Sequence, residues 1–285
     1  MPLYTVLDLL HGYVNGDQEK INLLTRNQYF VVPMLNTDGC WTILDHWKQT
    51  GEMLLKRKNG DYRFEKESDH CGKGFKGVDI NRNYGYIWGN NDGPCGESFP
   101  GPHPFSEPES RAMRNLLTRY QDEIKFVYNF HAYGPMWVWP YNGEIKNELA
   151  ESNPLAQRVF NEIWEEAKFP TSTLHGNAMK TVGYQANGEA NDYIMKAFNI
   201  PSVSPELGND NFFSGEFFIQ YDFVVREVLR DNEPWIMHTL KKLGGEVAIS
   251  NVGVADNIFS FDMTNTGLQD WNMATEGLKI EVSSP

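Results

Sequence analysis

Apolar residues along this chain follow two rhythms. Leu3, Val6, Leu7, Leu10 and Val14 recur at three- and four-residue intervals, predicting one face of a helix that opens at Pro2 and closes before Gly16. Gln28-Tyr29-Phe30-Val31-Val32-Pro33-Met34-Leu35 is a β-rich run instead, closed by the turn-forming Asn36-Thr37-Asp38-Gly39. A second strand is predicted over Ile124-Lys125-Phe126-Val127-Tyr128-Asn129, giving way to a loop at His131, and Pro201 to Ser204 reads as extended. Helical patterns cover about 106–122, 153–167 and 187–197, then an aromatic-rich stretch over 215–243 broken near Pro234. Residues 45–75 and the Pro- and Gly-punctuated stretches around Asp92-Gly93-Pro94 and Gly101-Pro102 read mostly as loop.

Strands alternating with helices predict an α/β domain over 1–243 with a mixed sheet. Loops this long inside a compact domain point to function. After Gly244-Gly245 the texture changes to short alternating segments at 246–250, 258–265 and 278–283, a β-rich appendage over 246–285 that is too short for a whole sandwich.

Composition narrows the partners. Among 285 residues, 40% are hydrophobic and 22% charged, ordinary for a globular protein. The net charge of −13, spread along the chain, argues against nucleic-acid or anionic-membrane partners, which require a concentrated positive surface. No apolar run approaches the roughly 18 residues of a membrane span. The N-terminus has Asp8 inside its apolar stretch and neither the basic start nor the cleavage site of a secretory leader. Of three cysteines, Cys71 and Cys95 flank a loop-rich segment and can pair, leaving Cys40 over.

Several side chains suit chemistry, each with a plainer alternative. Arg82 between Asn81 and Asn83 suits two-pronged carboxylate binding, or is a surface arginine in a turn. Arg57, beside Lys58, sits in a basic loop that a solvated turn also explains. Glu206 follows an extended segment, where α/β folds keep their sites, or is an exposed loop acid. Tyr184 lies in a Gly-flanked loop, and His131 at a strand end.

Taken in order, these segments resemble the zinc carboxypeptidases of the A/B type from residue 3 to about 243. The resemblance rests on Pro33, Asn36, Asp38-Gly39, Arg57-Lys58-Asn59, the run from Gly77 to Tyr84, Pro94-Cys95, Gly101, Ser106-Glu107-Pro108-Glu109, Phe130-His131-Ala132-Tyr133, and the 22-residue interval from Tyr184 to Glu206. It implies the mixed-sheet phosphorylase/hydrolase-like fold and removal of single C-terminal residues from peptides or proteins. His131 would be a Zn2+ ligand, Glu206 the general base and Arg57 the group that polarises the scissile carbonyl. Asn81, Arg82 and Tyr184 would hold the terminal carboxylate. Asn142 and Asn191 would line the specificity pocket, and Cys71–Cys95 would be the family's disulfide, implying a secreted or lysosomal/vesicular location.

The family completes its zinc site with His-x-x-Glu just ahead of the first helix. The residues three positions after His11, His46, His70, His103, His131, His175 and His238 are Val14, Gln49, Lys73, Ser106, Gly134, Ala178 and Lys241. The motif is absent, so the expectation is a fold lacking its first strands and two of three zinc ligands. An upstream sequence or a second chain would supply them; otherwise the chain is a peptide-terminus-binding or scaffold domain.

Overall fold

The computed structural model describes all residues except 61–70, 145–148, 168, 170–172, 209–216, 220, 244–246, 256–257 and 266–285. The expected segment 278–283 lies outside the described residues. Helix α1, Pro2–Val14, forms as predicted with proline in its first turn, but Leu9 is its buried side chain, while Leu3, Leu7, Leu10 and Val14 are exposed. Helix α2, Gln18–Arg26, was not legible in the pattern; Asp17 caps it by accepting from Glu19 N and Lys20 N.

The predicted strand over 28–35 does not form, and residues 27–32 belong to no helix or strand. The predicted turn after it is the start of helix α3, Thr37–Thr50: Asn36 accepts from Gly39 N, and the helix stops at Gly51 with φ 76°. Residues 45–50, expected as loop, are therefore helical.

Helix α4 spans Pro108–Tyr120. The strand expected at 124–129 is cut to β1, Val127–Tyr128, and His131 lies in its own short strand β2, His131–Ala132, followed by β3, Met136–Val138. Helices α5, Leu149–Ser152, and α6, Pro154–Glu166, precede β4, Leu174–Gly176, then α7, Ala178–Thr181, and α8, Ala190–Phe198. β5 is Ser202–Leu207, longer than predicted, so Glu206 stands on a strand and not in a loop. Helix α9, Asp222–Leu243, runs through Pro234 without the predicted break.

The sheet order is β1-β5-β3-β4, with β2 also pairing β5; only β3 is antiparallel to β5. Successive strand residues face opposite ways, and β1 shows it. Tyr128 joins the cluster of Leu9, Trp137, Phe160, Val203, Trp235 and Leu240 under α1, α6 and α9. Val127 packs with Leu117 and Ile194 of α4 and α8 on the other face. The result is the mixed sheet that the sequence predicted, found here between two helical layers. Past residue 246, β6 (Val247–Ala255) and β7 (Ile258–Asn265) form an antiparallel hairpin, the β-rich texture read there.

Candidate active site

Strand register brings the two central residues together. In the parallel pair β2/β5, His131 lies opposite Glu206, and in the antiparallel pair β3/β5 Met136 lies opposite the same Glu206. Partner residues on adjacent strands share a sheet face, so the imidazole and carboxyl are neighbours at one end of β5.

The arginines arrive from loops held by specific bonds. Asp79 caps the 3-10 turn Ile80–Arg82, accepting from Asn81 N at 3.1 Å, and binds Arg57 Nε at 2.6 Å. Among the described residues the two Nη nitrogens of Arg57 have no partner. Asn81 accepts from Ala190 N at 3.1 Å, and its Nδ2 lies 3.4 Å from His131 Nε2. Arg82 is buried, and its Nη1 donates to Asn81 O at 2.8 Å. Tyr84 N donates to Gly188 O at 3.0 Å, knitting this turn to the start of α8. Gly188 has φ +69°, and a Cβ there would lie 2.2 Å from Arg82 O, so only glycine fits.

A second set of bonds supports the first. Lys58, fully buried, donates to Pro94 O at 2.6 Å and Gly96 O at 2.9 Å, beside the disulfide Cys71–Cys95; burial pushes its amine down to about 8. Asn59 accepts from Val78 N at 2.9 Å and donates to Glu107 at 2.8 Å. Cys40 is the free cysteine.

Electrostatics set the protonation states. Burial, aided by Arg57 and Arg82 against Asp79, pushes His131 down to about 4, so the imidazole is neutral near pH 7. Burial raises Glu206 to about 7, with Glu189 adding to the shift and Arg57 and Arg82 opposing it. A carboxyl titrating there suits general acid–base work near neutrality.

Asn142 and Asn191 lie behind this end of the sheet, both fully buried with their amides engaged. Asn142 donates to Glu189 at 3.0 Å and accepts from Ala178 N at 2.8 Å. Asn191 donates to Ser204 Oγ at 2.7 Å and accepts from Ser202 Oγ at 2.6 Å, tying α8 to β5. Glu189, which the sequence reading missed, accepts from Asn142, Asn191 N and Asp192 N, and burial raises its pKa. Its signal was weak because glutamate is not a favoured N-cap residue. Tyr184 is exposed, on a depression of about 480 Å³ shared with Arg82, Gln185 and Asn187.

The described residues do not fit a zinc centre. None of them form a group of three or more His, Cys, Asp or Glu able to hold a metal. His131 faces the amide of Asn81, a donor, and lies in the field of two guanidinium groups. A catalytic zinc takes three protein ligands.

Residues 1–227, which hold this sheet and the residues at the end of β5, match the family model described as zinc carboxypeptidase. The chain belongs to that family of zinc-using peptide hydrolases. Carboxypeptidase A6 of Homo sapiens is 32% identical over 241 residues, which cover 80% of this chain and 50% of that protein. Carboxypeptidase B of Astacus astacus is 27% identical over 197 residues, covering 66% and 59% respectively. A crystal structure of thrombin activatable fibrinolysis inhibitor shares the fold with a TM-score of 0.64 at 23% identity, covering 84% of this chain and 59% of that one. The chain spans about half the length of the curated relatives it matches.

Proposed function

We propose that this chain carries the peptide-facing part of a metallocarboxypeptidase site that removes single C-terminal residues from peptides or proteins. Asn81, Arg82 and Tyr184 hold the terminal carboxylate, and Arg57 stabilises charge developing on the scissile carbonyl oxygen. Glu206 takes a proton from the attacking water and returns it to the leaving amine. Asn142 and Asn191 act behind the side-chain pocket. His131 would be one zinc ligand of such a site, which the described residues alone do not complete.

The carrying observation is that strand register sets His131 opposite Glu206, while Asp79 holds Arg57 through Nε at 2.6 Å and leaves its Nη nitrogens unengaged among the described residues. The disulfide supports a secreted or lysosomal/vesicular location. The single ligand favours a second reading, in which the same cradle binds peptide C-termini without hydrolysis or serves a structural role.

Zinc content of the purified chain, measured beside hydrolysis of a blocked dipeptide, separates the two. Release of the C-terminal amino acid that falls about 10²-fold or more in Glu206→Gln supports hydrolysis. Substoichiometric zinc with binding and no release supports the second reading.

A further inference from the structure

The amides of Asn142 and Asn191 are engaged within the fold, by Glu189 and Ala178 N in one case and by Ser204 and Ser202 in the other. Recognition of a substrate side chain falls to another group beside them, and Glu189 stands there. Met136 pairs with Glu206 and Val138 with Ser204, so these four side chains share one sheet face. Asn191, two residues after Glu189, bonds Ser204 on that face at 2.7 Å. Gly188 O accepts from Tyr84 N and Asn81 accepts from Ala190 N, so the residues on either side of Glu189 are tied to the turn carrying Asn81 and Arg82. Asn142, which holds Glu189, also binds Ala178 N and Ala186 N. Ala178, Ala186 and Val138 pack together as an apolar lining next to it.

The carboxyl of Glu189 is used on one side only. The residue is 3% exposed, and Oε2 accepts all three of its bonds, from Asn142 Nδ2, Asn191 N and Asp192 N at 3.0, 3.0 and 3.2 Å. Among the described residues Oε1 accepts from nothing, and no cationic side chain forms an ion pair with Glu189. Asp192, the other buried acid of α8, differs, because its two oxygens take Asn142 N and Gly143 N. A buried carboxylate with a free oxygen and no cation is costly, and a partner of opposite charge relieves that cost. Burial raises the pKa of Glu189, with Arg82 opposing the rise, and a bound cation returns it to the charged form.

We propose that Glu189 is the specificity-determining residue of the site and selects a C-terminal lysine or arginine. This rests on the reading of Asn81, Arg82 and Tyr184 as the cradle of the terminal carboxylate. That carboxylate answers the charge of Arg82 and leaves Glu189 to the side chain of the same residue. The aliphatic stem of lysine or arginine meets Val138, Ala178 and Ala186, and its cation donates to Oε1 in a charge-assisted bond. An apolar side chain leaves Oε1 unmet, and an acidic one meets a like charge.

The test is calorimetric titration of the full chain with short blocked peptides ending in lysine, arginine, norleucine or glutamate, each as free acid and as amide. Norleucine keeps the stem of lysine and lacks the ammonium. The free acids ending in lysine and arginine should bind at least about tenfold more tightly than norleucine, with glutamate weakest. A peptide with its lysine one place inward controls for general attraction to a chain of net charge −13. In Glu189→Gln the amide oxygen can keep the three bonds of Oε2 while an NH2 group replaces Oε1, so the lysine advantage should shrink to within about twofold. Circular dichroism confirms that the variant folds. Norleucine or the inward lysine binding as tightly as terminal lysine overturns the proposal on the wild-type chain alone. So does a full lysine advantage in folded Glu189→Gln. Acids favoured over amides without a lysine advantage overturn the role of Glu189 alone, whereas acids binding no better than amides overturn the cradle and this proposal with it.

Discussion

β5 and residues 28–32 stand on opposite sides of β1, and only β5 is bonded to it. By composition residues 28–32, with Tyr29, Phe30, Val31 and Val32, are the better strand former; β5 is Ser202-Val203-Ser204-Pro205-Glu206-Leu207. Ser202 to Pro205 are buried, bonded to neighbouring strands and locked from behind by Asn191. Phe30, Val31 and Val32 lie partly in solvent beside a groove. β-propensity describes a fit to a pleated, half-buried surface, so the segment with less of it becomes the strand where neighbours offer backbone groups and cover.

The largest expected effect contrasts the two sides directly. Trp137→Ala, in the core that covers β5, should cost about 3–5 kcal/mol in urea unfolding. Phe30→Ala, whose ring leans on Tyr120, should cost less than about 1 kcal/mol. Equal losses would break the comparison.

A smaller effect sharpens it. Asn191→Ala leaves Ser202 and Ser204 without their buried partner and should cost about 1–3 kcal/mol. Gln28→Ala, on the open side, should stay within about 0.5 kcal/mol in the same unfolding assay.

The smallest effect is a pH dependence. Burial depresses Lys58 from 10.5 to about 8 in the folded chain. Its stabilising contribution is therefore full above 10.5 and declines as pH falls through about 8. The neutral amine still has two protons for Pro94 O and Gly96 O. Wild type minus Lys58→Met, compared by thermal melting, should gain stability as pH rises from about 8 towards 10. A flat difference would remove the buried-amine assignment.

Much of the frame was legible because its signals are local. Pro2 and Gly16 bracket α1, Pro154 opens α6, and the resemblance anticipated the Cys71–Cys95 pair. The misread elements depend on distant groups. Asn36 reads equally as a turn or a cap, and Gly39 N decides between them. Among the described residues the run at 28–35 has no partner strand, which no local pattern reveals. At the site, His131 and Glu206 were named by resemblance, but their facing positions follow from register between strands 75 residues apart, Val127 opposite Ser202. Glu189 stayed hidden because its importance lies in holding Asn142 and Asn191.

The carboxylate cradle is tested most directly by calorimetric titration of the chain with a blocked peptide bearing a free C-terminal carboxylate, against the same peptide as its amide. The free acid should bind at least tenfold more tightly, about 1.4 kcal/mol, as expected for a charge-assisted pair. Arg82→Met should abolish the difference. Equal binding of acid and amide by the folded wild-type chain would contradict the assignment of Asn81, Arg82 and Tyr184.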